Sequence, residues 1–259
     1  MLSSVHNAIK VLDCFSATDR ELGVSELARR LRLGKSTVFR LCSTLVAGGL
    51  LEHNPGTGRY RLGLHLYELG ALVSVHMDLH EAAAPHLLDV RNRTGETVQL
   101  AVLDGREVVY VERLESSHTV RLFGRVGHRQ PAHCTATGKV LLAHLPEAEL
   151  DGLLDGWELP ARTPYTITDH AALRKALAQV RRRGWGENTQ EAEVGVASVA
   201  APVCDATATV VAALSVAGPV MRLDGGSLRR FAAVVVEAAD SVSQRLGYRG
   251  PSGARKEVR

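Results

Sequence analysis

The stretch Val24 to Leu51, VSELARRLRLGKSTVFRLCSTLVAGGLL, constrains the fold most, because two short helical patterns meet there at a tight corner. In its second half Val38, Leu41, Cys42 and Leu45 follow the i, i+3, i+4, i+7 spacing that gathers one buried stripe on a helix. Ser36, Arg40 and Ser43 then lie opposite the stripe, with Lys35, Thr37, Phe39 and Thr44 on its flanks. The preceding pattern, Ser25 to Leu31, buries Leu27, Ala28 and Leu31, and only Arg32-Leu33-Gly34 separates the two. That is helix-turn-helix spacing.

The outward residues suit a nucleic acid: arginine for guanine or phosphate, serine and threonine for either, an aromatic for a thymine methyl. Between Arg29 and Arg40 stand Arg29, Arg30, Arg32, Lys35 and Arg40 with no acidic residue, so the local field is positive. An ordinary helical hairpin with a solvated basic face is the alternative. The flanks argue against it. Gly48-Gly49 ends the helix, and Leu50 to His53, a Pro55-Gly56-Thr57-Gly58 turn and Arg59 to Leu62 read as two strands with a tip, the wing of a winged helix-turn-helix. Arg59 and Arg61 alternate onto one face, suited to phosphate or the minor groove. Charge placement agrees: residues 1–70 hold 9 Lys/Arg against 6 Asp/Glu, so the whole formal excess of +3 sits there.

Val5, Ala8, Ile9, Leu12 and Phe15 define a first amphipathic helix, expected to wall the two corner helices. After Gly63 a helical pattern with a narrow seam, Leu62, Leu66, Leu69 and Val73, suggests a linker helix that pairs with a second copy. Glu81 to Arg93 reads as another helix. The period then changes to 2: Thr97 to Leu103 and Glu107 to Leu114 form a hairpin about Asp104-Gly105, expected as type I′. Val120 to Phe123 reads as a short strand and Gly124 to His133 as a loop. Helices are expected at Thr135 to His144, Glu147 to Leu154, from a Thr168 cap to Arg183, and at Asp224 to Leu246; strands at Val196 to Val203 and Thr209 to Val216. Antiparallel hairpins flanked by helices imply an α+β domain.

Pro131 to Lys139, PAHCTATGK, starts a helix with small residues, leaving its first N–H groups open to an anion. The two late strands carry alanines with Ser198 and Ser215, so a sheet face with space above it is expected. Together these suggest a pocket for a small carboxylate, against the alternative of a capped helix packed on an alanine-rich sheet.

The chain up to about Gly247 resembles the IclR family of bacterial transcriptional regulators, on ELARRLRLGKSTVFRLCSTL with a wing ending RYRLG, then GRVGHRQPAHCTATGKVLLA, EVGVASVAAPVCD and VAALSVAGP, in that order. The resemblance implies an N-terminal winged helix-turn-helix (1–62), a linker or dimerisation helix (63–80) and a C-terminal GAF-like effector-binding domain with a central antiparallel sheet flanked by helices (81–247), before a disordered tail (248–259). It implies a homodimer or dimer of dimers on a pseudo-palindromic double-stranded operator, with affinity set by a small organic acid effector. DNA contacts are expected from Arg32, Lys35, Ser36, Thr37, Phe39, Arg40, Ser43, Arg59 and Arg61. The effector is expected near Ala136, Thr137, Asn188, Val196, Ser198, Ser215 and Ala217, with Leu122 and Phe123 on an apolar side. Asn188, Ser198 and Ala217 depart from the acid, Cys and Ser found at such positions, which implies a less polar ligand than a simple keto acid. The turn Asp205 to Thr209 lacks the usual glycine.

No cofactor or metal is expected. Cys14, Cys42, Cys134 and Cys204 are widely spaced with no C-x-x-C pair, and no signal peptide precedes them, as in a cytoplasmic protein with reduced thiols. No apolar run approaches the roughly 18 residues of a membrane span. A metal or thiol sensor using His133 and Cys134, with Cys204, is one alternative; a small-molecule hydrolase using Ser198 is another, without a G-x-S-x-G elbow or phosphate loop to support it. His76 and His80 sit at i, i+4, but Met77 replaces the acid of a zinc-protease helix, so both read as solvated.

Overall fold

The computed structural model describes residues 2–16, 18–75, 79–122 and 124–250, with backbone alone for 71–75. Val73, His76 and Phe123 of the expectations above, and the tail from 251, lie outside the described side chains. The chain divides into two units, residues 1–77 and 78–259.

In the first unit, α1 (Ser3–Asp13), α2 (Val24–Leu31) and α3 (Lys35–Ala47) precede the hairpin of β1 (Leu51–Asn54) and β2 (Arg59–Leu62) and then α4 (Leu64–Val75). Its core is the stripe read from α3, Val38, Cys42 and Leu45, closed by Val11, Leu27, Leu51 and Tyr60. The face α1 buries is the expected one in part, turned toward Val11. Val11 and Phe15 are inside, with Ala8 and Leu12 packed beside them, whereas Val5 and Ile9 are 54% and 53% exposed. At 100° per residue the apolar residues form one broad arc, with Val11 and Phe15 on the edge that packs inward and Val5 and Ile9 on the edge left in solvent. Leu62 likewise belongs to the wing strand rather than to the linker helix. Leu22 exchanges both backbone hydrogen bonds with Tyr60, adding a third short extended segment to the wing.

The second unit runs α5 (Leu79–Thr94), β3 (Thr97–Asp104), β4 (Glu107–Leu114), β5 (Arg129–Pro131), a 3₁₀ turn at Ala132–Cys134, α6 (Ala136–Ala143), α7 (Glu147–Leu154), α8 (His170–Arg183), β6 (Gly186–Thr189), β7 (Val196–Cys204), β8 (Val210–Pro219) and α9 (Gly225–Arg245). Its strands form one sheet in the order β5-β4-β3-β8-β7-β6, every pair antiparallel. Alternation divides the side chains between two faces. Ala101, Val108, Tyr110, Ala200 and Ala213 pack with α6, α7 and α8. On the other face the sheet meets α5 and α9. The architecture is mixed α+β.

Several local expectations are corrected. The β3–β4 loop is Gly105-Arg106, with Gly105 at φ +59 and Arg106 outside the left-handed region, the pattern of a II′ rather than a I′ turn. Val120 to Leu122 is not a strand: the carbonyls of Val120 and Leu122 accept from the Arg222 and Arg113 guanidinium groups instead of a ladder. The strand missed lies within the expected loop, as β5. Asp169, not Thr168, caps α8, accepting from Ala172 N–H at 2.7 Å. In the glycine-free turn Ala208 takes φ +66, a conformation costing an L-residue about 1 kcal/mol. The Asp205 carboxylate offsets this by accepting from the N–H groups of Thr207 and Thr209.

Candidate functional site

Gly34 precedes α3 and Arg32 turns the corner in a left-handed conformation, φ +56, so the chain reverses in the three residues read from sequence. Burying Val38, Cys42 and Leu45 leaves Lys35, Ser36, Thr37, Phe39, Arg40 and Ser43 exposed, with Phe39 at 55%. Among the described residues no carboxylate pairs with Arg29, Arg32, Lys35 or Arg40, whereas Arg30 turns back to Asp19 and Glu26. Ser43 donates its hydroxyl to the Phe39 carbonyl at 2.9 Å, so it meets an outside partner only as an acceptor. On the wing, Arg59 and Arg61 share a face as expected, but both are paired: Arg59 with Glu26 of α2 at 2.7 Å and Arg61 with its cross-strand neighbour Glu52 at 2.7 Å. Both pairs are half-exposed, the kind worth only about 0–1 kcal/mol and open to competition by phosphate.

In the second unit the register builds a polar floor. Asn188, Ser198 and Ala217 share one rung across β6, β7 and β8. The next same-face rung carries Ala200, Ser215, Gln99 and Arg113 across β7, β8, β3 and β4. Above it, Thr135 and Thr137 at the start of α6, Leu122, Gly124, Arg125, His128 and Gln130, and Ala192 and Glu193 close a cavity of about 70 Å³. A water needs roughly 10–15 Å³ on that measure, so the space holds about five water-sized groups. Of the nine expected effector residues, seven line this cavity: Leu122, Thr137, Asn188, Val196, Ser198, Ser215 and Ala217. Ala136 does not; its side chain packs in the core beneath α6.

The helix start is less open than its small residues suggested. Thr135 caps α6, its hydroxyl accepting from Gly138 N–H at 3.0 Å. Asn188 spends its carbonyl oxygen on Glu191 N–H at 2.7 Å, so its amide N–H groups are what remain for the cavity.

Sequence reasoning missed the most polar lining groups: Gln99, Tyr110, Arg113, Arg125, His128 and Glu193. They make the lining more polar than the residues read from the sequence implied. Arg113 escaped for a definite reason. Tyr110 faces α6, so alternation puts residue 112 on that face; but the pairing of β3 with β4 skips Val111, and the bulge transfers Arg113 there instead. Its guanidinium, 5% exposed, is held by Glu115 at 2.8 Å and the Leu122 carbonyl at 2.7 Å. Burial, with Arg125 and Arg113 nearby, holds the His128 imidazole below its usual pKa and so neutral at pH 7.

The surroundings of His133 and Cys134 do not favour the sensor alternative. Burial pushes the Cys134 thiol up to about 11, far from the thiolate that reacts or binds metal. The His133 Nε2–H donates to the Pro160 carbonyl at 3.1 Å. Cys204 lies on β7, with its N–H donating to Ser243. Among the described residues no three His, Cys, Asp or Glu side chains gather as for a metal, and no helix is long and apolar enough to cross a membrane. His80 contacts Glu112.

Known proteins agree with this division of the chain. The model of the IclR helix-turn-helix domain matches residues 4–55, and that of the bacterial transcriptional regulator IclR C-terminal domain residues 71–244. The HTH-type transcriptional regulators XynR and KdgR of Escherichia coli are 39% and 36% identical, over 96% and 95% of this chain and 98% and 94% of theirs. The crystal structure of an IclR homologue from Microbacterium hydrocarbonoxydans complexed with 4-hydroxybenzoate superposes with a TM-score of 0.83 at 32% identity, covering 94% of this chain and 98% of that one. With a DNA-binding helix-turn-helix ahead of the regulatory fold, the chain belongs to the IclR family of transcriptional regulators.

Proposed function

We propose that this regulator reads a pseudo-palindromic operator as a homodimer or dimer of dimers, and that a small organic acid in the second unit sets its operator affinity. The observation that carries the effector half is that seven of the expected residues line one cavity. The homologue bound to 4-hydroxybenzoate supports a small acid as the ligand class. In the first unit, Lys35, Ser36, Thr37, Phe39, Arg40 and Ser43 present α3 to the major groove, Arg32 contacts the backbone from the corner, and Arg59 and Arg61 exchange their carboxylates for phosphates. Leu64, Tyr67 and Leu69, exposed on α4, support pairing with a second copy.

Two substitutions separate reading from holding. Arg40→Ala should cost about 1–3 kcal/mol on the preferred sequence, some 5- to 150-fold, and relax preference at one base pair. Arg59→Ala should weaken all sequences alike and reduce the slope of log affinity against log salt by about one. Anisotropy titrations on DNA selected from a random pool, repeated across salt, measure both; an unchanged slope for Arg59→Ala would remove the wing from the interface.

For the effector, Thr137→Phe fills the cavity from α6. The full chain should keep its DNA affinity and its fold but lose the acid-dependent change in that affinity. Coupling is reciprocal, so DNA must shift acid affinity by the same factor. Acid-dependent release that survives Thr137→Phe unchanged would place the effector elsewhere.

A further inference from the structure

The cavity lining contains polar groups that the protein itself leaves unanswered. Gln99 and Ser198 are more than nine-tenths buried, yet among the described residues their side chains find no hydrogen-bond partner. Ser215 reaches only the Gln99 carbonyl, at 3.5 Å, the outer limit of a hydrogen bond. Buried amides and hydroxyls of this kind are normally paired, and a lining with several such groups is matched by a ligand that supplies the partners. An aromatic ring or a methyl chain cannot.

Two charges add direction. Arg113 already has Glu115, whereas Arg125, from the segment after Leu122, lines the cavity with no carboxylate beside it among the described residues. Glu193, from the loop between β6 and β7, lines it with no cation beside it among the described residues. With His128 neutral, the site offers one uncompensated cation for an anionic group and one uncompensated carboxylate, which accepts hydrogen bonds from hydroxyls and repels a second anion.

We infer that the cavity selects a small polyhydroxylated carboxylate, its carboxylate on Arg125 and its hydroxyls on Gln99, Ser198 and Glu193. This rests on the effector reading above and narrows its ligand class. The space, about five water-sized groups, suits a three- or four-carbon hydroxy acid. A site built to bond hydroxyls discriminates sharply against an analogue that lacks them, because its own buried groups are then left unpaired. Arg125 and Glu193 are therefore specificity-determining residues, one for charge and the other for hydroxyls.

Calorimetry on the full chain with four probes tests this: erythronate carries acid and hydroxyls, butyrate and benzoate the acid alone, erythritol the hydroxyls alone. Erythronate should bind at least tenfold more tightly than each of the others. Arg125→Ala should cut erythronate binding at least tenfold while leaving erythritol unaffected. Glu193→Gln should shrink the erythronate-over-butyrate ratio several-fold. The inference is overturned if butyrate or benzoate binds as well as erythronate, if both substitutions leave the ratios unchanged, or if none of the probes binds. Thr137→Phe separates the two levels. If an acid binds in a Thr137-dependent way without hydroxyl preference, the ligand class is wrong and the cavity reading stands. If acid binding ignores Thr137→Phe, the cavity reading falls as well.

Discussion

Gly138→Ala is expected to unfold the second unit or to leave it severely destabilised, although the change adds a single methyl group to a helix. A Cβ at 138 would lie 2.1 Å from the Ala132 carbonyl oxygen and 2.4 Å from its Cα. Both are backbone atoms of the 3₁₀ turn, so no side chain can swing aside. Helix propensity pulls the other way, favouring alanine by about 1 kcal/mol. The overlap decides the sign, since forcing extra volume into a packed core costs about 1–3 kcal/mol and more where backbone must move. The loss should exceed about 3 kcal/mol in urea unfolding followed by circular dichroism. Gly152→Ala on α7 is the control: nothing lies within 4 Å of its Cβ position, so the propensity gain of about 1 kcal/mol should appear alone. Equal stability of Gly138→Ala and the parent would refute the close approach. The consequence reaches the cavity, because the same turn sets the position of Thr135 and Thr137.

Gly138 also marks the boundary of what was legible in the amino-acid sequence. The run of small residues at 135–138 pointed to an anion-accepting helix start, a property of composition; the contact that requires the glycine comes from Ala132, which no periodicity reveals. By contrast α3 was readable in detail, because its apolar residues occupy one stripe and the outward set follows by elimination. The α1 helix was readable only in part, since its apolar arc is wider than the stripe it buries. Ser198, Ser215 and Ala217 were found because the two late strands carry small residues, whereas Asn188 on β6 and Val196 followed only from the family resemblance. Arg113 was hidden by the bulge at Val111, and Arg125 and Glu193 by their place on irregular segments, where sequence carries no rule for direction. The alternating apolar residues Val120 and Leu122 imitated a strand while their carbonyls were taken by the Arg222 and Arg113 side chains.

One of those arginines carries the second large expected effect. Arg222, between β8 and α9, donates to both oxygens of Glu96 at 2.5 and 2.8 Å and to the Val120 carbonyl at 2.9 Å. Glu96 is 2% exposed, and Gly218 leaves it room: a Cβ there would sit 2.6 Å from the carboxylate. Arg222→Met would strand this carboxylate with only His118, at 3.9 Å, nearby among the described residues. Breaking a fully buried pair costs about 3–5 kcal/mol because the remaining charge is uncompensated. Arg222 keeps part of its surface in water, so the low end, about 3 kcal/mol, is expected, equivalent to a fall in Tm of roughly 6–12 °C. Replacing both partners, Glu96→Met with Arg222→Met, should recover most of the loss, since two apolar groups leave no charge behind. A single variant within 0.5 kcal/mol of the parent would show that the pair is not holding the fold. The same arginine fixes the segment that leads into Leu122, whose carbonyl Arg113 holds in turn, so the double variant gives a separate readout. With stability restored but Val120 released, its affinity for a cavity-bound acid should still fall, because the two guanidinium groups position the wall of the cavity from opposite sides of the same short segment.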